Sequence, residues 1–117
     1  MDSITITSRI PISLEQIGKS LSHCWKTSLV EDGQKVVIEG ESQRIYIYRP
    51  TITTGAGPRE EVFVDYSGVE FVKQVIPLIA DSPEVIVDND FGTVWFGDLF
   101  VAYLKAHPEW NWRDEDP

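Results

Sequence analysis

The chain has one cysteine, two histidines and one methionine in 117 residues. A lone cysteine, Cys24, excludes an internal disulfide. Two histidines and one cysteine cannot close a zinc site without carboxylates, and no metal-ligand spacing occurs. No apolar run approaches the ~20 residues of a membrane span. The N-terminus, MDSITITSRI, lacks a basic segment followed by an apolar one, so a secretory leader is not expected. Together these absences lead to the expectation of a cytoplasmic protein. Basic residues are scarce in one half. Residues 60–117 hold three Lys/Arg against thirteen Asp/Glu, whereas residues 1–59 hold seven against six.

What is present suits one globular domain spanning 1–117, with 108–117 as a C-terminal tail. The chain is 42% apolar and 25% charged, a soluble composition rather than a disordered one. At this length about two thirds of the unfolded surface can be buried, so no covalent staple is needed. The net charge of −9 lies almost wholly in the second half. Such a surface repels nucleic-acid phosphates and anionic lipids, and it attracts basic proteins. The plainer alternative is an acidic surface that only keeps the protein soluble.

Along the chain, SITITSRI (3–10) alternates as a half-buried strand, with Ile4 and Ile6 on one side, and Pro11 ends it. A helix follows with Ser13 as N-cap, Gln16 three residues on, and Ile12 and Ile17 as a staple. Leu14, Ile17, Leu21 and Cys24 recur at helical spacing and are expected to face the core. TSLVE (27–31), KVVIE (35–39) and RIYIYR (44–49) read as strands separated by EDGQ and GES turns. Joined so tightly, they must be antiparallel. PTITTGAGPR (50–59) reads as the one long loop. EVFVDY (61–66) reads as a strand and SGVEFVKQVIPLIADSP (67–83) as helical, with an apolar face of Phe71, Val72, Val75, Ile76 and Ile79. Pro77 is expected to kink or stop that helix near Val75. EVIVD (84–88) and TVWF (93–96) read as strands. GDLFVAYLKAH (97–107) reads as the last helix, ended by Pro108. In the tail, one or both of Trp110 and Trp112 are expected to pin the chain to the body, with Asp114, Glu115 and Asp116 solvated. The expected fold is α+β: a mostly antiparallel sheet of about five to seven strands against about three helices.

VIVDNDFG (85–92) is the stretch that most invites a chemical reading. A calcium loop needs a glycine at its sixth position and a glutamate at its twelfth; counted from Asp88 these are Thr93 and Leu99. The DFG triplet lacks every other kinase element. Two β-runs flanking NDFG make a hairpin instead, with Asn89 and Asp90 suited to a type I turn and Gly92 to the left-handed closing position. Asp88 and Asp90 are then displayed at its tip. His23 and Cys24, adjacent on a helix, diverge too far to act as base and nucleophile. Cys24 is expected to fill the core, and His107 to cap its helix. GAG in the long loop lacks the lysine and helix of a phosphate loop. No catalytic residue, cofactor or metal is expected. Only a cluster assembled in space, for instance Asp88, Asp90 and His107, would change that.

In RIYIYR, Ile45 and Ile47 point one way, and Arg44, Tyr46 and Tyr48 the other. Either the tyrosines form an outward row suited to binding, or helices cover both faces of the sheet and bury them.

A small acidic α+β domain without a catalytic set resembles the immunity proteins of bacterial polymorphic-toxin and contact-dependent inhibition systems. VIVDNDFG leading into the glycine-initiated GDLFVAYL carries the closest likeness. The resemblance implies a cytoplasmic inhibitor that binds one toxin domain, often a basic nuclease, and covers its active site. Asp88, Asp90, Asp98, Glu60, Glu61 and Asp65 would imitate phosphate charge, and Tyr46 and Tyr48 would anchor the interface. Two other classes remain beside it. One is an adaptor for another basic protein. The other is a small enzyme, which would need a polar pocket around Cys24 or His107.

Overall fold

A computed structural model describes residues 1–50 and 60–117; the expected long loop lies outside these apart from Pro50. Seven strands form one sheet: β1 (Asp2–Ser8), β2 (Lys26–Val30), β3 (Lys35–Glu39), β4 (Arg44–Tyr48), β5 (Glu60–Tyr66), β6 (Val85–Asp88) and β7 (Val94–Phe96). Their order is β2-β3-β4-β5-β1-β6-β7, and every pairing is antiparallel. Three helices complete the α+β fold: α1 (Leu14–Leu21), α2 (Val69–Ile79) and α3 (Gly97–Ala106).

The N-terminal strand β1 lies between β5 and β6. β5 and β6 are therefore parallel to each other, and α2 is the crossover joining them, because two parallel strands cannot be linked by a tight turn. Alternation sets the layers. Ile4 and Ile6, Val36 and Ile38, Ile45 and Ile47, Val62 and Val64, and Val85 and Val87 are all buried, and cross-strand register places them on one face. The helices contribute Leu14 and Leu21, Val72, Val75 and Ile76, and Phe100, Val101 and Leu104 to the same core. The opposite face of the sheet carries no helix among the described residues.

Local signals explain the helix starts. Ser13 Oγ accepts the Gln16 N–H at 3.2 Å, the capping bond expected of this sequence. Ile12 and Ile17 both pack against the core as a staple would. α3 begins at Gly97 because nothing larger fits: a Cβ there would lie 2.0 Å from the Ala80 carbonyl oxygen and 2.4 Å from a Val85 methyl. The tail is fastened as expected, with Trp110 and Trp112 both buried.

Three local expectations are corrected. α1 ends at Leu21, so His23 and Cys24 fall in the following turn and Cys24 is exposed rather than in the core. Helical spacing stops predicting burial where the helix stops. α2 continues through Pro77 to Ile79, with the Ala80 N–H bonded to Ile76 O at 2.9 Å. Pro77 stands in the last turn, where its missing donor deprives only the Lys73 carbonyl. In the β6–β7 turn Asp90 has φ 65° and Gly92 φ 101°, so Asp90 is left-handed and the type I turn is not formed, although the hairpin is.

Candidate functional site

The uncovered face of the sheet takes its residues from alternate positions of each strand. Val37, Tyr46, Asp65 and Ser3 lie in register across β3, β4, β5 and β1. Lys35, Tyr48, Phe63, Thr5, Asp88 and Val94 form the adjoining row. Tyr46 and Tyr48 are thus in the outward row and half-buried by their neighbours. Asp65 is held there: Tyr48 donates its hydroxyl to Oδ2 at 2.9 Å and Ser3 donates to Oδ1. Lys35 Nζ lies 5.6 Å from the Tyr46 ring centre and 5.4 Å from that of Tyr48, where a cation meets the negative face of each ring. Burial raises the Tyr48 phenol pKa first, and the Asp65 hydrogen bond and charge raise it further. This part of the face is a satisfied polar network.

The β6–β7 end is organised differently. Asn89 is fully buried, and its Oδ1 accepts the N–H of Phe91 at 2.9 Å and of Thr93 at 3.1 Å. Its own N–H donates to Thr93 O at 3.1 Å. Asp88 Oδ1 accepts the Asp90 N–H at 2.8 Å. An asparagine and an aspartate side chain therefore do the work that backbone pairing does elsewhere in the hairpin. Asp88 shapes the turn, whereas Asp90 is exposed at its tip. Register sets Val94 beside Asp88 and Phe96 beside Ile86 on the uncovered face, with Trp95 on the core side beside Val87. Val94 is 58% exposed, Phe96 49% and Leu99, in the first turn of α3, 57%. Leu99 with Trp95, Ala102 and Tyr103 lines a shallow apolar groove of about 410 Å³.

Of the eight residues expected at a binding surface, Asp88, Asp65, Glu61, Tyr46 and Tyr48 share the uncovered face. Asp90 stands at the turn beside it. Asp98 is at the other end of the hairpin, where its Oδ1 accepts the Leu99 N–H at 2.9 Å. Glu60 serves the fold: its Oε2 accepts the Ile12 N–H and lies 3.6 Å from Arg49 Nη1, tying β5 to the start of α1. Among the described residues no Lys or Arg forms an ion pair with Asp81, Glu84, Asp88, Asp90 or Asp98. The exposed apolar residues Val94, Phe96 and Leu99 were missed at the sequence level. The alternation in TVWF carried that signal, since a strand with one core-facing tryptophan must turn Val94 and Phe96 outward.

Compared with known protein families, characterised proteins and solved structures, this chain matches none. The site therefore rests on its own geometry. Among the described residues no three His, Cys, Asp or Glu side chains converge as metal ligands, so Asp88, Asp90 and His107 do not assemble into a metal site. His107 stacks on Tyr103 with ring centres 4.1 Å apart, and its N–H bonds Tyr103 O at 2.9 Å as the helix cap. A cleft of about 720 Å³ opens between the α1–β2 turn, the β3–β4 turn and α2. Cys24, Trp25, Gln43, Glu70, Phe71 and Gln74 are among its walls, and no histidine is. Cys24 thus opens onto a polar cleft whose walls also carry Glu39, Glu41 and Glu70. No described helix is long and apolar enough to cross a membrane.

Proposed function

We propose that this protein is a stoichiometric inhibitor of the immunity type, acting in the cytoplasm by binding a basic toxin domain, such as a nuclease, and covering its active site. One observation carries this reading. The β6–β7–α3 side of the molecule sets carboxylates that pair with no described Lys or Arg beside exposed large apolar residues. Carboxylates steer a basic partner and accelerate encounter, while buried apolar contacts slow its release. A nuclease presents a cationic groove built for phosphate, which is the complementary surface. An interface of about 1,600 Å² in total would suit such a complex.

Co-expression with the toxin domain encoded beside this gene tests the proposal. Calorimetry should then find nanomolar binding that weakens with salt, and the toxin's activity should vanish at equimolar inhibitor. Absence of binding to any adjacent toxin domain removes the reading. An adaptor for another basic protein uses the same carboxylates. It is separated by a partner that binds with the same salt dependence and keeps its activity.

A further inference from the structure

β7 is an edge strand. Among the described residues its only sheet partner is β6. Asn89 and Thr93 are bonded across the hairpin. Bonded and unbonded pairs alternate in an antiparallel ladder, so Trp95 turns its main-chain groups toward Val87, and Val94 and Phe96 turn theirs outward. The Phe96 carbonyl, at the N-cap of α3, takes the first helical bond. Three groups remain for an incoming strand: the N–H and C=O of Val94 and the N–H of Phe96. Edge strands are usually blunted by lysine, proline or a bulge. β7 has none of these three, although at three residues it is itself short.

The far edge of the sheet, β2, also exposes apolar side chains, Leu29 and Val30. Its charges are mixed and paired, Lys26 with Glu39 at 3.4 Å and, on the neighbouring strand and turn, Lys35 with Glu31 at 3.8 Å. The β7 edge carries three carboxylates, Asp90 and Asp88 at one end and Asp98 at the other, and one described cation, Arg9, lines a small pocket with Ile86 and Phe96. The nearest basic residue along the chain is Lys105, in the last turn of α3. A second copy of this chain is a poor occupant. Antiparallel self-pairing of β7 about Trp95 would bring the Asp90 end of each copy against the Asp98 end of the other, and like charges facing across strands destabilise pairing.

We infer that β7 is a docking edge for an extended basic segment of a partner protein, which adds as an eighth strand. Its apolar side chains pack on Val94 and Phe96 on one face and into the Trp95–Leu99–Tyr103 groove on the other. Its lysines or arginines reach the flanking carboxylates. This rests on the reading of the protein as a binder of basic partners, and it names the surface.

The probe is an eight-residue synthetic peptide of four central valines flanked by two lysines at each end, with blocked ends, so that valines meet both faces and lysines reach the flanking carboxylates. It is titrated into the full chain and followed by amide NMR. Shifts should centre on residues 94–96, and affinity should weaken about tenfold from low to physiological salt. The peptide N-methylated throughout, which keeps its side chains but loses its donors, should not bind. The double variant Val94→Lys, Phe96→Lys should lose binding, while Leu29→Lys, Val30→Lys should keep it. Shifts centred on β2, equal binding of the methylated peptide, no binding of the parent peptide, or a concentration-dependent dimer of the free chain would each overturn the docking edge. A toxin domain captured equally well by the Val94→Lys, Phe96→Lys variant overturns it too and leaves the immunity reading standing. Peptide docking at β7 without capture of any toxin domain supports the edge and removes that reading.

Discussion

Trp112 donates its indole N–H to the Tyr66 hydroxyl at 2.8 Å, and both rings are buried. Arg113, next along the chain, donates to the Ser67 carbonyl at 2.7 Å, pairs with Asp2 and lies 5.3 Å from the Tyr66 ring. Four residues from both chain ends and β5 thus lock together. Trp112→Ala should cost about 3–5 kcal/mol, the cost of a large aromatic removed from a core, measured by urea unfolding. Burial raises the Tyr66 phenol pKa, and the Trp112 hydrogen bond opposes that rise. Tyr48 is raised as well. Unfolded tyrosines ionise near pH ~10 while these two keep their protons, so the folded state is favoured fully below that pH. Stability should fall as pH climbs through ~10 toward the folded values. Thermal melts between neutral and strongly alkaline pH should show the loss, and the Tyr48→Phe, Tyr66→Phe double variant should blunt it.

Among the elements, the β6–β7 hairpin depends most on one side chain. Asn89 is buried and accepts two main-chain N–H groups, so Asn89→Ala strands both donors. The expected loss is about 1–3 kcal/mol, and amide exchange should quicken in β7 before it does in β4. The existence of this hairpin was legible in VIVDNDFGTVWF, because alternation and turn residues are local signals. Its turn type was not, because a buried asparagine replaced the backbone pattern that a type I turn assumes. The same limit explains α2. A proline rule drawn from helix interiors does not describe a proline in the last turn. It also explains Cys24, whose spacing matched a helix that had already ended.

At the scale of the molecule, the extents of 38 × 37 × 23 Å fit a single sheet with one layer of helices. That thinness leaves one sheet face without a helix among the described residues and puts Tyr46, Tyr48 and Asp65 on that face, half-buried. It also leaves both edge strands at the rim. The net charge of −9 on so small a body repels itself. Raising salt from low to physiological should therefore increase the melting temperature by a few degrees, read by calorimetry on the free protein. The same salt should weaken partner binding, which separates self-repulsion from attraction across an interface.

By itself the sequence determined the class of fold, a mostly antiparallel sheet of about five to seven strands with about three helices, the pinning of the tail by one or both of its tryptophans, and the acidic second half. Period, capping residues and composition act over a few residues, so they can be read without the fold. Only the tertiary structure decided which carboxylates are engaged within the fold and which pair with no described Lys or Arg. Glu60 and Asp65 are engaged by groups far away in the chain, and Asp98 is separated from Asp88 by the length of β7. It also decided that β1 fills the middle of the sheet and that β7 is left at its edge. Strand order joins residues many positions apart, and no local pattern records which strand will have no further neighbour.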